Sequence, residues 1–312
     1  MKPHYITTKV TLLFFAVLHI AAVAQNPVEY LQTNNVSAPI CIGGNLFYNT
    51  DTSVHVSTMY EIPKGSGISS IFSASLWVTA TDASGNLKCA AQQHSNNGRD
   101  YYDGPVNSNG VYNAAYDSFY RRVFKITRGQ IETHVADFIA NPFQLSPNNI
   151  APAILYWPAK GNPYVAATYG VTIADRLAPF YDADGDGIYD PVKGDHPGVC
   201  GDEAIFFVFN DIRGPHNESG GQPLGIEVRG LAEAYADSLA TGGNSALFQK
   251  KAINNTTFVQ YEIENKSTSP LFDLNIALYY DADLGCYTND GVACDTSKDL
   301  MFFFNRTSND QD

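Results

Sequence analysis

The stretch Phe272-Asp273-Leu274-Asn275-Ile276-Ala277-Leu278-Tyr279-Tyr280 places large apolar side chains at every second position. Successive side chains of a strand point to opposite faces, so this period of two describes a strand with one face toward a core. Upstream, Val259, Tyr261 and Ile263 repeat the period, and residues 265–270 supply Asn, Ser and Pro for a turn. The two runs together predict a hairpin. Further out, residues 300–304 and 224–228 read as strands, while the Ala-rich run 232–239 suits either helix or strand. Ile205-Phe206-Phe207-Val208-Phe209 is apolar on both faces, as a central strand requires.

The N-terminal half repeats the pattern. Phe72, Ala74, Leu76, Val78 and Ala80 share one face of a strand; residues 82–86 turn, and residues 87–92 return as its hairpin partner. Residues 120–126 have strand composition. Thr127 and Gln130 have capping-box spacing ahead of Ile131, Val135, Phe138 and Ile139, which fall on one helical face before Asn141-Pro142. His134 lies beside that stripe and reads as a packed or solvated histidine. Residues 142–163 hold five prolines and Trp157, the composition of an extended segment laid over a surface. Many strands joined by local turns predict an all-β fold, mainly an antiparallel β-sandwich with one or two short helices. Its division is a β-rich region over 25–178 with the short helix near 128–140, an acidic loop over 179–200, and a β-sandwich region over 201–312.

That acidic loop, Asp182-Ala183-Asp184-Gly185-Asp186-Gly187-Ile188-Tyr189-Asp190-Pro191, sets carboxylates at alternate positions of a glycine-bearing curl. Alternation in a tight loop turns oxygen ligands toward one centre, the chemistry of a hard cation such as Ca²⁺. The expected ligands are the side chains of Asp182, Asp184, Asp186 and Asp190 and the carbonyl of Ile188, with Asp195 completing the shell. Lys193 stands where an EF-hand places its bidentate Glu, and Pro179 and Pro191 exclude flanking helices, so this is a calcium loop of another kind. Asp281, Asp283, Asp290 and Asp295 form a second acidic group for which a cation is an alternative to simple solvation.

Lys2 and Lys9, the apolar run 10–24 and Ala22-Val23-Ala24 before Gln25 have the layout of a secretory signal peptide over 1–24. The run is too short for a spanning helix, and no later segment is long and apolar enough to cross a bilayer. The formal net charge is −13, and the leader carries two lysines and no acids, so its removal makes the charge −15. Such a balance argues against nucleic acid and suits a protein that recruits divalent cations. Five cysteines, Cys41, Cys89, Cys200, Cys286 and Cys294, are too few for a disulfide scaffold in a chain of 312 residues. Cys286 and Cys294 bracket a short polar turn and are the best candidates for a disulfide; the pairing of the other three stays open.

No catalytic motif emerges. His216, Glu218 and Glu227 cluster around Gly220-Gly221, but their spacing matches no helical zinc motif. A nucleophile elbow, a phosphate loop and a dinucleotide fingerprint are all missing. Trp77, Tyr101 and Tyr102 raise the alternative of a carbohydrate-binding or glycan-cleaving protein.

Several stretches in order, Ser70-Ile71-Phe72-Ser73-Ala74-Ser75-Leu76-Trp77, Gly98-Arg99-Asp100-Tyr101-Tyr102-Asp103-Gly104-Pro105, Trp157-Pro158-Ala159-Lys160-Gly161, the Asp182 loop, Gly220-Gly221-Gln222-Pro223-Leu224-Gly225-Ile226-Glu227 and Asp281-Ala282-Asp283-Leu284-Gly285-Cys286, resemble large secreted proteins of Bacteroidetes exported by the type IX secretion system. The resemblance implies a secreted or cell-surface protein that engages the secretion machinery and an extracellular protein or glycan partner. It implies no activity. Such proteins usually continue into a C-terminal sorting domain, and this sequence ends in a polar tail at Asp312. The expectation is therefore a fragment, or else a chain retained in the periplasm.

Overall fold

The computed structural model describes residues 27–48, 59–94, 98–142, 145–236 and 252–307. The leader, the end of the Ala-rich run 232–239 and the last five residues lie outside them. Among the described residues four sheets, all antiparallel, carry the fold, with the four short α-helices named below. The largest sheet has seven strands: β1 (Val28–Leu31), β2 (Ala38–Cys41), β3 (Asn45–Leu46), β4 (Tyr60–Glu61), β5 (Ser69–Thr81), β6 (Leu87–Ala91) and β14 (Phe272–Ala282). The second has five: β7 (Tyr102–Asp103), β8 (Phe124–Thr127), β11 (Glu203–Asn210), β12 (Ile226–Ala234) and β13 (Thr257–Asn265). Two pairs complete the set, β9 (Phe180–Tyr181) with β10 (His196–Pro197), and β15 (Asp290–Asp295) with β16 (Leu300–Asn305). The helices are α1 (Ala114–Tyr120), α2 (Arg128–Ala140), α3 (Pro152–Leu155) and α4 (Pro163–Tyr169).

Strand β11 explains why residues 205–209 are apolar throughout. Ile205, Phe207 and Phe209 join Ala74, Leu76, Val78 and Ala80 of β5 and Val228 and Ala232 of β12 in one buried cluster. Ala204, Phe206 and Val208 point the other way, into a second cluster with Phe119, Ile126, Ile154, Trp157, Val165 and Tyr189. The five-stranded sheet thus shares one core with the seven-stranded sheet and buries its other face beneath the helices and loops of residues 112–199. Each phenylalanine fully withdrawn from water there contributes roughly 1.5–3 kcal/mol. Gly230 lies opposite Phe207 in the β11–β12 register, where a Cβ would stand 2.2 Å from the ring. Each large sheet takes strands from both ends of the sequence, β5 pairing with β14 and β11 with β7 and β8.

Several expectations are met. The turn at 82–86 forms, with Asp82 accepting hydrogen bonds from the amides of Ser84 and Asn86, and β5 pairs with β6. The capping box is present at α2: Thr127 accepts from the Gln130 amide, and the Gln130 side chain accepts from the Thr127 amide. Other expectations are corrected. The two runs around residues 265–270 do not pair with each other. Strand β13 pairs with β12 and β14 with β5, so the turn carries the chain from one sheet to the other. Alternation marks the apolar face of a strand but not which strand lies beside it, and on β14 the expected core face is exposed at Phe272, Leu274, Ile276 and Leu278. The expected strand over 120–126 is shorter, because Asn113 caps α1, which runs to Tyr120, and β8 begins at Phe124. The proline-rich segment is not extended throughout; Pro152 and Pro163 each open a helix, where a missing N–H costs nothing. On α2 the buried residue is His134, and Ile139 is exposed.

Candidate metal centre

Strands β9 and β10 pair as Tyr181 with His196 and Phe180 with Pro197, and so pinch together the ends of the acidic loop. Within it, short carboxylates fold the backbone by accepting its amides. Asp182 accepts from Gly185 (2.7 Å) and Gly187 (2.8 Å), Asp184 from Asp186 (3.2 Å), and Asp186 from Ile188 (2.7 Å). Gly185 and Gly187 take φ of 77° and 76°, left-handed values that glycine adopts without strain. Tyr189 anchors the far side. It is fully buried, its hydroxyl donates to the Ile154 carbonyl (2.7 Å), and its amide donates to Lys160 (2.8 Å). Ile188 packs at Gly161, and Gly194 passes close under the Phe138 ring of α2.

Asp195 closes the site. It is fully buried, and its two oxygens accept from the amides of Ala183 and Asp190, each at 2.8 Å. Its carbonyl meets His134 Nε2 at 3.1 Å, which ties the loop to α2. Burial raises the Asp195 carboxyl above the usual carboxylate range, and the negative charges of Asp182 and Asp184 raise it further. Oxygens of Asp182, Asp184 and Asp195 lie within 4.8 Å of one another, a group of hard donors able to hold a metal ion.

The other expected carboxylates, Asp186 and Asp190, have further partners. Asp186 meets Lys193, whose ammonium lies 2.7 Å from its carboxylate and 3.2 Å from that of Asp184. That hydrogen bond holds the Asp186 carboxyl below its ordinary range and raises the Lys193 ammonium. Asp190 caps the turn Pro191–Lys193 by accepting from Val192 at 3.1 Å. Ile188 contributes its amide to Asp186 and its side chain to the packing at Gly161. Of the five expected carboxylates, Asp182, Asp184 and Asp195 converge, and Lys193 is a charged neighbour that the ligand pattern did not flag. Its signal was a lone basic residue inside a strongly acidic loop.

The second acidic group is arranged otherwise. Asp295 accepts from Ser297 and Lys298, and Asp290 from the Leu284 amide (3.1 Å). Among the described residues, Asp281, Asp283, Asp290 and Asp295 form no group of three close enough to share an ion. No disulfide joins Cys286 and Cys294: Cys286 Sγ lies 3.1 Å from Thr288 Oγ1, and Cys294 sits on β15 opposite Met301. The intervening turn winds into a 3₁₀ helix at Tyr287–Asn289 and does not fold the two cysteines onto each other.

His216, Glu218 and Glu227 also go separate ways. His216 is enclosed between backbone carbonyls, Glu218 accepts from the Gln93 amide, and Glu227 accepts from Val106 beside Arg229. Of the aromatics, Tyr101 is fully buried in the first core, Trp77 stacks on Tyr279 at 5.3 Å, and Tyr102 donates to Pro215. No helix among the described residues is long and apolar enough to cross a membrane. No protein-family model, curated protein or solved structure matches the chain.

Proposed function

We propose that this protein is a calcium-binding, β-rich structural or adhesive module that works outside the cytoplasm, secreted or held at the cell surface. The observation that carries the reading is the convergence of Asp182, Asp184 and Asp195 in a loop whose backbone is already curled around them. Three like charges held this close repel one another, and a divalent cation reverses the sign of that interaction. Oxygen donors in a small loop suit Ca²⁺, which accepts many ligands in flexible geometry, better than Mg²⁺ with its strict octahedron. The signal-peptide layout at residues 1–24 supports a compartment where calcium is plentiful. The role is structural because the loop connects the helical layer to β11, the strand that both cores share.

Extracellular calcium modules bind with dissociation constants of about 10⁻⁴–10⁻³ M, and tenfold excess over such a constant adds roughly 1.4 kcal/mol to stability. Titration calorimetry should show calcium binding in that range with much weaker magnesium binding. Chelation should lower the melting temperature by a few degrees, and Asp184→Ala should remove that dependence. Absence of binding at millimolar calcium, or a calcium response that survives Asp184→Ala, overturns the reading.

A further inference from the structure

The connection between β11 and β12 crosses to the other large sheet. Its first residue, Asp211, is fully buried and accepts from the amides of Leu224 (2.5 Å), Gly225 (2.9 Å) and Ile226 (2.7 Å), closing the loop on itself. Its far side lies on β6: the Cys89 amide donates to the Gln222 carbonyl (3.0 Å), and a Cβ on Gly221 would stand 2.4 Å from the Cys89 carbonyl oxygen. Asp100, also fully buried, accepts from Ala91 of β6 and from Glu218 and Ser219 of the loop. His216 sits at the centre, its side chain wholly inaccessible.

Both ring nitrogens of His216 face carbonyl oxygens, Nδ1 that of Cys89 at 2.6 Å and Nε2 that of Asp211 at 2.7 Å. A carbonyl oxygen can only accept. A neutral imidazole has one N–H and one bare lone pair, so one contact would set two lone pairs against each other. Only a ring protonated at both nitrogens satisfies both. The charges around it match: Asp100 lies 4.0 Å from Nδ1 and Asp211 3.7 Å from Nε2. The other titratable groups packed here are the Tyr101 hydroxyl, which burial and the charges of Asp211 and Asp100 raise, the Cys89 thiol, which burial raises, and Glu218, which is turned to the Gln93 amide. None brings a competing positive charge, and burial also raises the Asp211 carboxyl, against which the backbone amides and His216 act.

We infer that His216 is a buried imidazolium that latches the 211–225 connection across the outer side of β6, joining the two large sheets by a polar staple beside their apolar core. A buried cation between two carboxylates, with every hydrogen-bonding group paired, is stable only while all partners are present.

Nuclear magnetic resonance of protein labelled with ¹⁵N histidine tests this on the intact chain at neutral pH. One ring should show proton correlations at both nitrogens, and both should vanish in His216→Gln. A His216 ring with one bare nitrogen overturns the inference, and that measurement needs only the unmodified protein if the variant fails to fold. In a folded His216→Gln, the amides of Glu218, Ser219, Leu224, Gly225 and Ile226 should exchange with solvent at least tenfold faster, while the β5 amides paired with β14 stay as they were. Unchanged exchange, or a uniform rise across the molecule, overturns the latch.

Discussion

Lys193 holds an ammonium against Asp184 and Asp186, so an arriving cation must compete with it for Asp184. An exposed ion pair of this kind is weak, and its removal should tighten calcium binding modestly. Lys193→Ala is expected to lower the calcium dissociation constant by about threefold in titration calorimetry, as exposed pairs are modest. Weaker binding would show that the lysine shapes the loop rather than competing for it. Gly161 offers a second residue-scale test. Its φ is +78° and a Cβ would meet Ile188 at 2.7 Å, so Gly161→Ala should cost about 1–3 kcal/mol in urea unfolding. Alternating aspartates and paired glycines made the loop legible from the sequence. The sequence did not separate carboxylates that face one another from those engaged elsewhere. Asp186 continues the two-residue spacing of Asp182 and Asp184, with Asp190 four residues further on, and the path of residues 191–193 brings the Lys193 ammonium to Asp186 and the Val192 amide to Asp190.

Among elements, β14 carries an unusual surface. It covers one side of β5 from Ile71 to Thr81, which leaves β3, β4 and β6 to share the other, and its own outer side has no strand partner among the described residues. Phe272, Leu274, Ile276 and Leu278 are each about half exposed (48–54 %). A long apolar edge of this kind pairs readily with other chains, and an edge lysine blocks such pairing. Ile276→Lys should reduce concentration-dependent association seen by light scattering; an unmodified protein that stays monomeric when concentrated would refute this. On the β12–β13 ladder, Glu264 meets Lys266 at 2.9 Å and Arg229 at 2.7 Å, and the lysine bond leads in holding its carboxyl below the ordinary glutamate range. A lowered folded value gives stability that is present above the unfolded value and lost as pH falls through the folded one. Glu264→Gln should therefore flatten the acid limb of a stability profile measured by denaturant titration. Elements with a strong local signal, β5, its turn at Asp82 and the Thr127 cap, could be read directly. The pairing of β14 could not, because Leu278 finds Leu76 through tertiary packing from far along the chain.

On the scale of the whole molecule, β11 belongs to two cores at once, with Phe207 in one and Phe206 in the other. Neither core can lose it alone, so thermal unfolding should be a single calorimetric transition, with the slowest amide exchange in β11. Two resolved transitions would contradict this. Residues 27–200 produced alone should lack dispersed amide resonances, since they lack β11 and β14. The register also bears on timing. Trp77 lies opposite Ala277, and Lys125 opposite Ile205, so the decisive pairings join early residues to late ones. Closing loops of that length makes folding slow and postpones its commitment step. A chain delivered N-terminus first cannot complete the β5–β14 ladder until residues near 280 emerge, so until then β5 waits without the strand that covers one of its edges.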